Sequence, residues 1–369
     1  MYFVANVQDL NDSLNNVTKA LAARATNQIQ EGVLIETIEN GVILTCTDGK
    51  LSIQSTIVAN VQEHGSIVLP GKLLTELVRK LPLGNVTMQT QSNRQTSIIC
   101  GNSRSNISGM NPIDFPEMNE IIPNFSVKIS QAKLKRMVSK VTFAIAVEDP
   151  RLVLTGCLLE VSENYVKVVA LDGYRMAIQE LDQKFQVPEN SVYKAVIPGR
   201  VMNELSKILT DDDAECELLF DKKNLRVIFG NNVMTTVLLV GDYVDYVKIT
   251  PKNFKSSVKV NKANLQEAID RVSLVARESK SNLITFQISS NVMNISANSS
   301  LGDMNEDLNI SLNGDPITIS FNYKYLNDAI RNIDDEIIFM NFSSNVSPCV
   351  IVKEDRKDYL YLILPVRIA

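Results

Sequence analysis

Few side chains in this 369-residue chain have types and spacing that could do chemistry. The lone histidine, His64, stands in a Glu-His-Gly turn with no Cys, Ser or Asp arrangement around it to make a base or a nucleophile. It reads as a surface turn residue. Asp211, Asp212 and Asp213 could gather a divalent cation, but the run follows a helix pattern and lacks the spaced oxygen ligands and the glycine of a calcium loop. A solvated loop is expected there. Asp172 and Arg175 could act on a nucleotide only beside an activated base or a metal ligand, and the sequence around them supplies neither. Phosphate-loop, dinucleotide and zinc-protease signatures are missing. The five cysteines, Cys46, Cys100, Cys157, Cys216 and Cys349, are odd in number, widely spaced and set mostly in apolar strand patterns. They read as small buried hydrophobes in a reducing cytoplasm. The expectation is a protein with no catalytic residue, no metal and no cofactor.

The elements that would position these residues repeat about six times, each time as a short strand, an amphipathic helix and a run of strands. Leu74, Leu77, Val78 and Leu81 form one helical face after Pro70-Gly71, and Met202, Leu205 and Leu209 echo it after Pro198-Gly199. The spacing predicts helices over 9–24, 71–81, 130–140, 199–209, 261–280 and 322–332. Ser130 and Asn261 are placed to cap two of them. Asn40-Gly41 between apolar runs predicts a hairpin turn, and the layout recurs at Glu163-Asn164 and Ser290-Asn291. Those three copies match one another better than the copies beginning near 67, 196 and 317, so the register is A-B, A-B, A-B. It predicts an α+β chain of three similar domains, at 1–122, 123–250 and 251–369, each made of two strand-helix-strands units.

No apolar run is long enough to span a bilayer and no signal peptide is visible, so the chain reads as soluble, without a membrane partner. Its formal net charge is -5, but the two signs are unevenly placed. Basic residues concentrate on the predicted helices: Arg24, Lys72, Arg79, Lys80, Lys133, Lys135, Arg136, Lys140, Arg200, Lys207, Arg271, Arg277, Lys324 and Arg331. Acidic residues dominate the strands and loops. Any one of these cations is an ordinary solvated side chain, yet their recurrence in every repeat points to one shared polyanion. Few aromatics interleave with them, so the pattern suits the backbone of double-stranded DNA, held without reading its bases. Two other classes stay open on this pattern: a nucleotide enzyme around Asp172 and Arg175, and a repeat-built scaffold with no nucleic-acid role.

Three segments add a resemblance. Asp149-Pro150-Arg151-Leu152-Val153-Leu154-Thr155-Gly156, Ala170-Leu171-Asp172-Gly173-Tyr174-Arg175-Met176-Ala177 and Leu362-Ile363-Leu364-Pro365-Val366-Arg367, on a chain of six such units, resemble the bacterial DNA polymerase III beta subunit, the sliding-clamp family. The resemblance spans the whole chain. It implies a DNA-clamp fold in which a head-to-tail homodimer closes a ring, with helices lining the hole and sheets outside. It also implies a processivity factor without its own catalytic site. Implied partners are duplex DNA, a second copy, the polymerase III alpha subunit, a clamp loader, and other polymerases and repair proteins that dock through short Leu/Phe-containing peptides.

Carried over by motif, the peptide pocket would be walled by Leu154, Leu171, Gly173, Tyr174, Arg175, Met176, Val244, Ile249, Val346, Pro348, Leu362, Leu364, Pro365, Val366 and Arg367. The dimer joint would set residues 103–110 against Leu274 and Val275. Ser105-Asn106 stand where the family often has a bulky aromatic, which shifts the expected joint toward Ile107, Leu274, Val275 and charge pairs. Val244 stands where the family usually has proline; it keeps an apolar wall and relaxes the backbone.

Overall fold

The computed structural model describes all residues except 23–26, 119, 188–190, 280, 355 and 368–369. Its helices are α1 (Val7–Val17), α2 (Gly71–Arg79), α3 (Gln131–Ser139), α4 (Gly199–Ile208), α5 (Tyr246–Ile249), α6 (Lys262–Ala276) and α7 (Tyr323–Arg331). All but α5 sit in one recurring unit, a strand, a helix and three further strands, which occurs six times, the fifth copy adding a short strand at Ser311–Gly314.

Apolar residues at helical spacing explain why these segments are helices and which face they bury. Leu10, Leu14 and Val17 of α1, Leu265, Ile269 and Val272 of α6, and Leu326 and Ile330 of α7 are all fully buried. Each such side chain contributes about 1.5–3 kcal/mol relative to exposure. The expected caps are present: Asn261 Oδ1 accepts from the Asn264 amide at 3.1 Å, and Ser130 Oγ accepts from the Lys133 amide at 3.4 Å. The first helix is shorter than its pattern. Thr18 Oγ1 donates to the Leu14 carbonyl at 2.7 Å, and the chain tightens into a 3-10 turn over Thr18–Ala20. The first hairpin also differs. Ile38 pairs with Gly41, so Glu39 and Asn40 make the turn and Gly41 opens the next strand.

The two units of each pair are interlocked through their strands. The strand before each helix pairs antiparallel with the first strand after the helix of the other unit: Tyr2–Asn6 with Asn85–Thr90, and Ser66–Pro70 with Gly32–Ile38. The same exchange recurs as Phe125–Ser130 with Glu215–Phe220, Val192–Pro198 with Gly156–Ser162, Ser256–Asn261 with Ile337–Phe342, and Ile317–Asn322 with Leu283–Ile288. Neither unit of a pair completes its sheet alone.

Third strands make a second kind of joint. Leu51–Glu63 of the first unit pairs with Asn232–Val237 of the fourth, and Arg175–Asp182 of the third pairs with Arg356–Ile363 of the sixth. Sheets therefore run on between repeat pairs, and the chain resolves into two compact units that divide the central pair. One unit holds Met1–Leu134 with Lys207–Leu238, and the other holds Lys135–Ser206 with Leu239–Ala369. The third strands of the second and fifth units, Ser103–Ser108 and Gly302–Asn309, are sheet edges.

All five cysteines are buried and unpaired. Burial pushes the thiols of Cys46, Cys157 and Cys349 well above their ordinary range, and that of Cys216 up to about 12. Thiolate is the reacting form, so a thiol reagent at pH 8 should modify the folded protein slowly and react with all five cysteines only on unfolding. Rapid labelling of the native protein, followed by absorbance, would contradict this core.

Candidate functional site

The tight turn at Asp172–Arg175 is built by its own residues. Asp172 Oδ1 accepts from the amides of Tyr174 at 2.9 Å and Arg175 at 3.0 Å. Gly173 takes the left-handed conformation, φ +88, that closes the turn. Tyr174 is thereby thrown outward, 59% exposed, while Arg175 folds back to pair with Asp172 at 2.9 Å. The same guanidinium bonds Asp328 of α7 at 2.5 Å and lies over the rings of Tyr325 at 4.8 Å and Phe143 at 5.4 Å. Tyr174 stacks on Tyr325 with centroids 5.5 Å apart.

Strand pairing then brings the two distant motifs together. Arg175 lies opposite Ile363 and Met176 opposite Leu362, and beyond the strand the Leu364 amide donates to the Tyr174 carbonyl at 2.9 Å. Leu154, Leu171, Met176 and Leu362 belong to one buried apolar cluster, against which Tyr243 and Val244 pack from the following loop. Ile249, Val346 and Leu364 expose apolar surface, and Pro348, Pro365 and Val366 are half-buried. Gly173 and Arg367 are exposed. Val346 and Pro348 sit in the loop before the strand Cys349–Lys353, outside the cluster.

Sequence reasoning missed Tyr325, Asp328 and Phe143. Tyr325 falls off the buried face of α7 read from Leu326, Ala329 and Ile330, so its only sequence signal was an aromatic off the apolar face of a helix that carries Lys324 and Arg331. The short helix α5 was also missed, because its four residues lie in a stretch that read as a boundary. Its Tyr246 hydroxyl donates to buried Glu160 at 2.6 Å, and Lys194 pairs with the same carboxylate at 2.7 Å. Burial, and then the Glu160 hydrogen bond, push the Tyr246 phenol well above its ordinary range.

The helix cations are mostly exposed, and Lys135 and Lys140 are half-buried. Lys72, Arg79 and Lys80 lie on or just after α2, Lys133 and Arg136 on α3, Arg200 and Lys207 on α4, and Lys324 on α7. Arg24 lies outside the described residues. Several already have partners. Arg136 and Lys140 pair with Asp334 at 3.2 and 2.5 Å, Arg271 with Glu306 at 2.9 Å, and Arg331 with Asp270 at 3.1 Å. Arg277 donates to Ser273 Oγ at 3.1 Å. At the edges, Leu274 is 58% exposed on α6, whereas Ile107 is 6% exposed and spent on its own core. Val275 is half-buried.

His64 is exposed in its turn, and Asp212 and Asp213 serve local bonds, from the Ala214 amide at 3.1 Å and from Ser130 Oγ at 3.2 Å. Among the described residues no three His, Cys, Asp or Glu side chains converge as a metal set, and no helix is long and apolar enough to cross a membrane. What the residues build is a buried apolar cluster beside an exposed turn whose Tyr174 stacks on Tyr325, with exposed cations along the helices.

Residues 1–119, 128–245 and 247–367 match in order the N-terminal, central and C-terminal domains of the DNA polymerase III beta subunit. A beta sliding clamp of Staphylococcus epidermidis is 31% identical over 366 residues, 96% of each chain. The crystal structure of the Bacillus subtilis DNA polymerase sliding clamp is 29% identical, with TM-score 0.95 over 100% of both chains. The Pseudomonas aeruginosa sliding clamp bound to griselimycin is 27% identical, again with TM-score 0.95 over 100% of both. The chain belongs to the DNA polymerase III beta subunit family, the beta sliding clamps. Members of that family are processivity factors with no catalytic activity of their own.

Two outcomes follow from the ion pairs. Arg175→Ala strands Asp172 and Asp328 and should lower stability by about 1–3 kcal/mol in chemical denaturation, with Arg175→Lys intermediate because the flat guanidinium stacking is lost. An unchanged midpoint would remove Arg175 as the turn's anchor. Burial pushes the Asp334 carboxyl up, but Lys140 and Arg136 more than offset this and hold it below the usual range. A lowered pKa contributes stability above the unfolded value of about 4, lost as pH falls through the folded value. The thermal midpoint of Asp334→Asn should therefore fall less steeply below pH 4 than that of the parent protein.

Proposed function

We propose that two copies of this chain close head to tail into a ring that encircles duplex DNA, slides without reading sequence and tethers the replicative polymerase. The observation that carries the reading is the pattern of third strands. Those of units one and four pair, and those of units three and six pair, which leaves Ser103–Ser108 of unit two and Gly302–Asn309 of unit five as open edges. Pairing the one edge with the other edge of a second copy repeats the same joint and, applied twice, leaves no third strand unpaired. Their charges suit each other: Arg104 is exposed on one edge, Asp303 and Asp307 on the other. Leu274 lies beside the second edge, on a helix that packs against that strand. Backbone pairing and these contacts carry the joint, so the missing aromatic at Ser105-Asn106 is tolerated.

In this reading the domains are 1–122, 123–250 and 251–369, and the basic helices face DNA phosphates while acidic strands and loops steer DNA from the outside. The pocket around Met176 and Leu362 receives short Leu/Phe-containing peptides of the polymerase III alpha subunit, the clamp loader, and other polymerases and repair proteins. The place of work is the cytoplasm.

After loading, the protein should stay on closed circular DNA and be lost when that DNA is linearised. Equal retention on both forms defeats encirclement. Asn106→Pro, which removes an edge amide, should convert a species of twice the chain mass into a monomer by light scattering at micromolar concentration. A parent protein that is already monomeric there would sink the closure pattern itself.

A further inference from the structure

A second cavity of about 300 Å³ lies in the same compact unit as the peptide pocket and shares none of the residues assigned to it. Its floor is Ile178, Val352 and Leu360, and its wall is Tyr246 and Val247 of α5. The volume is at the lower end of ligand-sized sites, with room for a bulky side chain.

Two features say what would occupy it. The first is continuity. Side chains two apart on a strand share a face, so Ile178 continues the face of Met176, and Leu360 that of Leu362, on strands that pair with each other. All four belong to one apolar cluster. The cavity is thus the next site along the floor of the peptide pocket, about 7 Å further on at the rise of a strand. The dividing wall is held in place: Tyr246 is bonded to Glu160, and Thr250 Oγ1 donates to the Tyr246 carbonyl at 2.8 Å. The second feature is charge. At the rim Lys167 and Glu180 neutralise each other at 3.0 Å, whereas exposed Lys252 has no ion pair among the described residues. The rim therefore offers one net positive charge beside an apolar hole.

We propose that this cavity is an accessory docking site for the flank of a clamp-binding peptide, taking a bulky apolar side chain with a carboxylate next to it. The proposal rests on the reading of the Met176–Leu362 pocket as the main peptide site. It gives partners a second point of contact, so those with an apolar-acidic flank outcompete those without one.

The test is calorimetric titration of the full-length protein with a short Leu/Phe-containing peptide and with the same peptide extended at either end by a short spacer and Leu-Glu. One extended form should bind about tenfold tighter than the short peptide, a gain of about 1.4 kcal/mol. Val247→Asp and Lys252→Glu should erase that gain and leave affinity for the short peptide unchanged. If neither extension tightens binding, or if the gain survives both substitutions, the accessory site is overturned while the main pocket stands. If the short peptide does not bind, the main-pocket reading fails; an extended peptide that also fails to bind then overturns both.

Discussion

Backbone hydrogen bonding between repeats is the constraint on which the rest of this structure depends. A strand-helix-strands unit buries one face of its helix, and its first strand pairs with a strand of the other unit of the pair. The exchange is reciprocal in all three pairs, so neither unit of a pair completes its sheet alone. The same rule, that buried backbone donors and acceptors need partners, then acts on the third strands. Two of the three possible third-strand joints are made within the chain, and the remaining two edges are what a second copy would use.

Function sits on this frame at two kinds of place. The pocket arises where a third-strand joint brings Arg175–Asp182 against Arg356–Ile363, so a turn from the middle of the chain and a segment from its end share one apolar floor. Arg175 ties that floor to α7 through Asp328 and Tyr325, which places the exposed Tyr174 and a basic helix on one side-chain network. The helices carry the other surface. Their cations are partly matched by Asp334, Glu306 and Asp270, which lowers the local charge without removing it. Loose contacts of this kind suit a protein that must hold DNA and still move along it.

Much of this was legible in the residues. Apolar spacing gave the six long helices, because a helix that buries one face must repeat its apolar residues every three or four positions. Ser130 and Asn261 marked two helix starts, since their side chains accept the amides that a first turn leaves free. The end of α1 was less legible, because Thr18 redirects a hydroxyl to the Leu14 carbonyl, a competition that apolar spacing does not encode. The hairpin at Glu39-Asn40 was found but shifted by one residue, since strand register rather than the Asn-Gly pair fixed it.

The sequence by itself determined the repeat, the basic character of its helices, the absence of a catalytic arrangement around His64 or the Asp211–Asp213 run, and the motifs that mark the family. Each is a property of local order, of residues within a turn or two of one another. Only the tertiary structure decided that compact units cut through the central repeat pair, that Ile107 is spent on its own core, and that Tyr325, Asp328 and Phe143 gather on Arg175. It also decided that a cavity continues the apolar floor past Met176 and Leu362. These depend on which strands pair across some two hundred residues of chain, and pairing is selected by the burial and hydrogen bonding of the whole sheet, which no window of sequence contains.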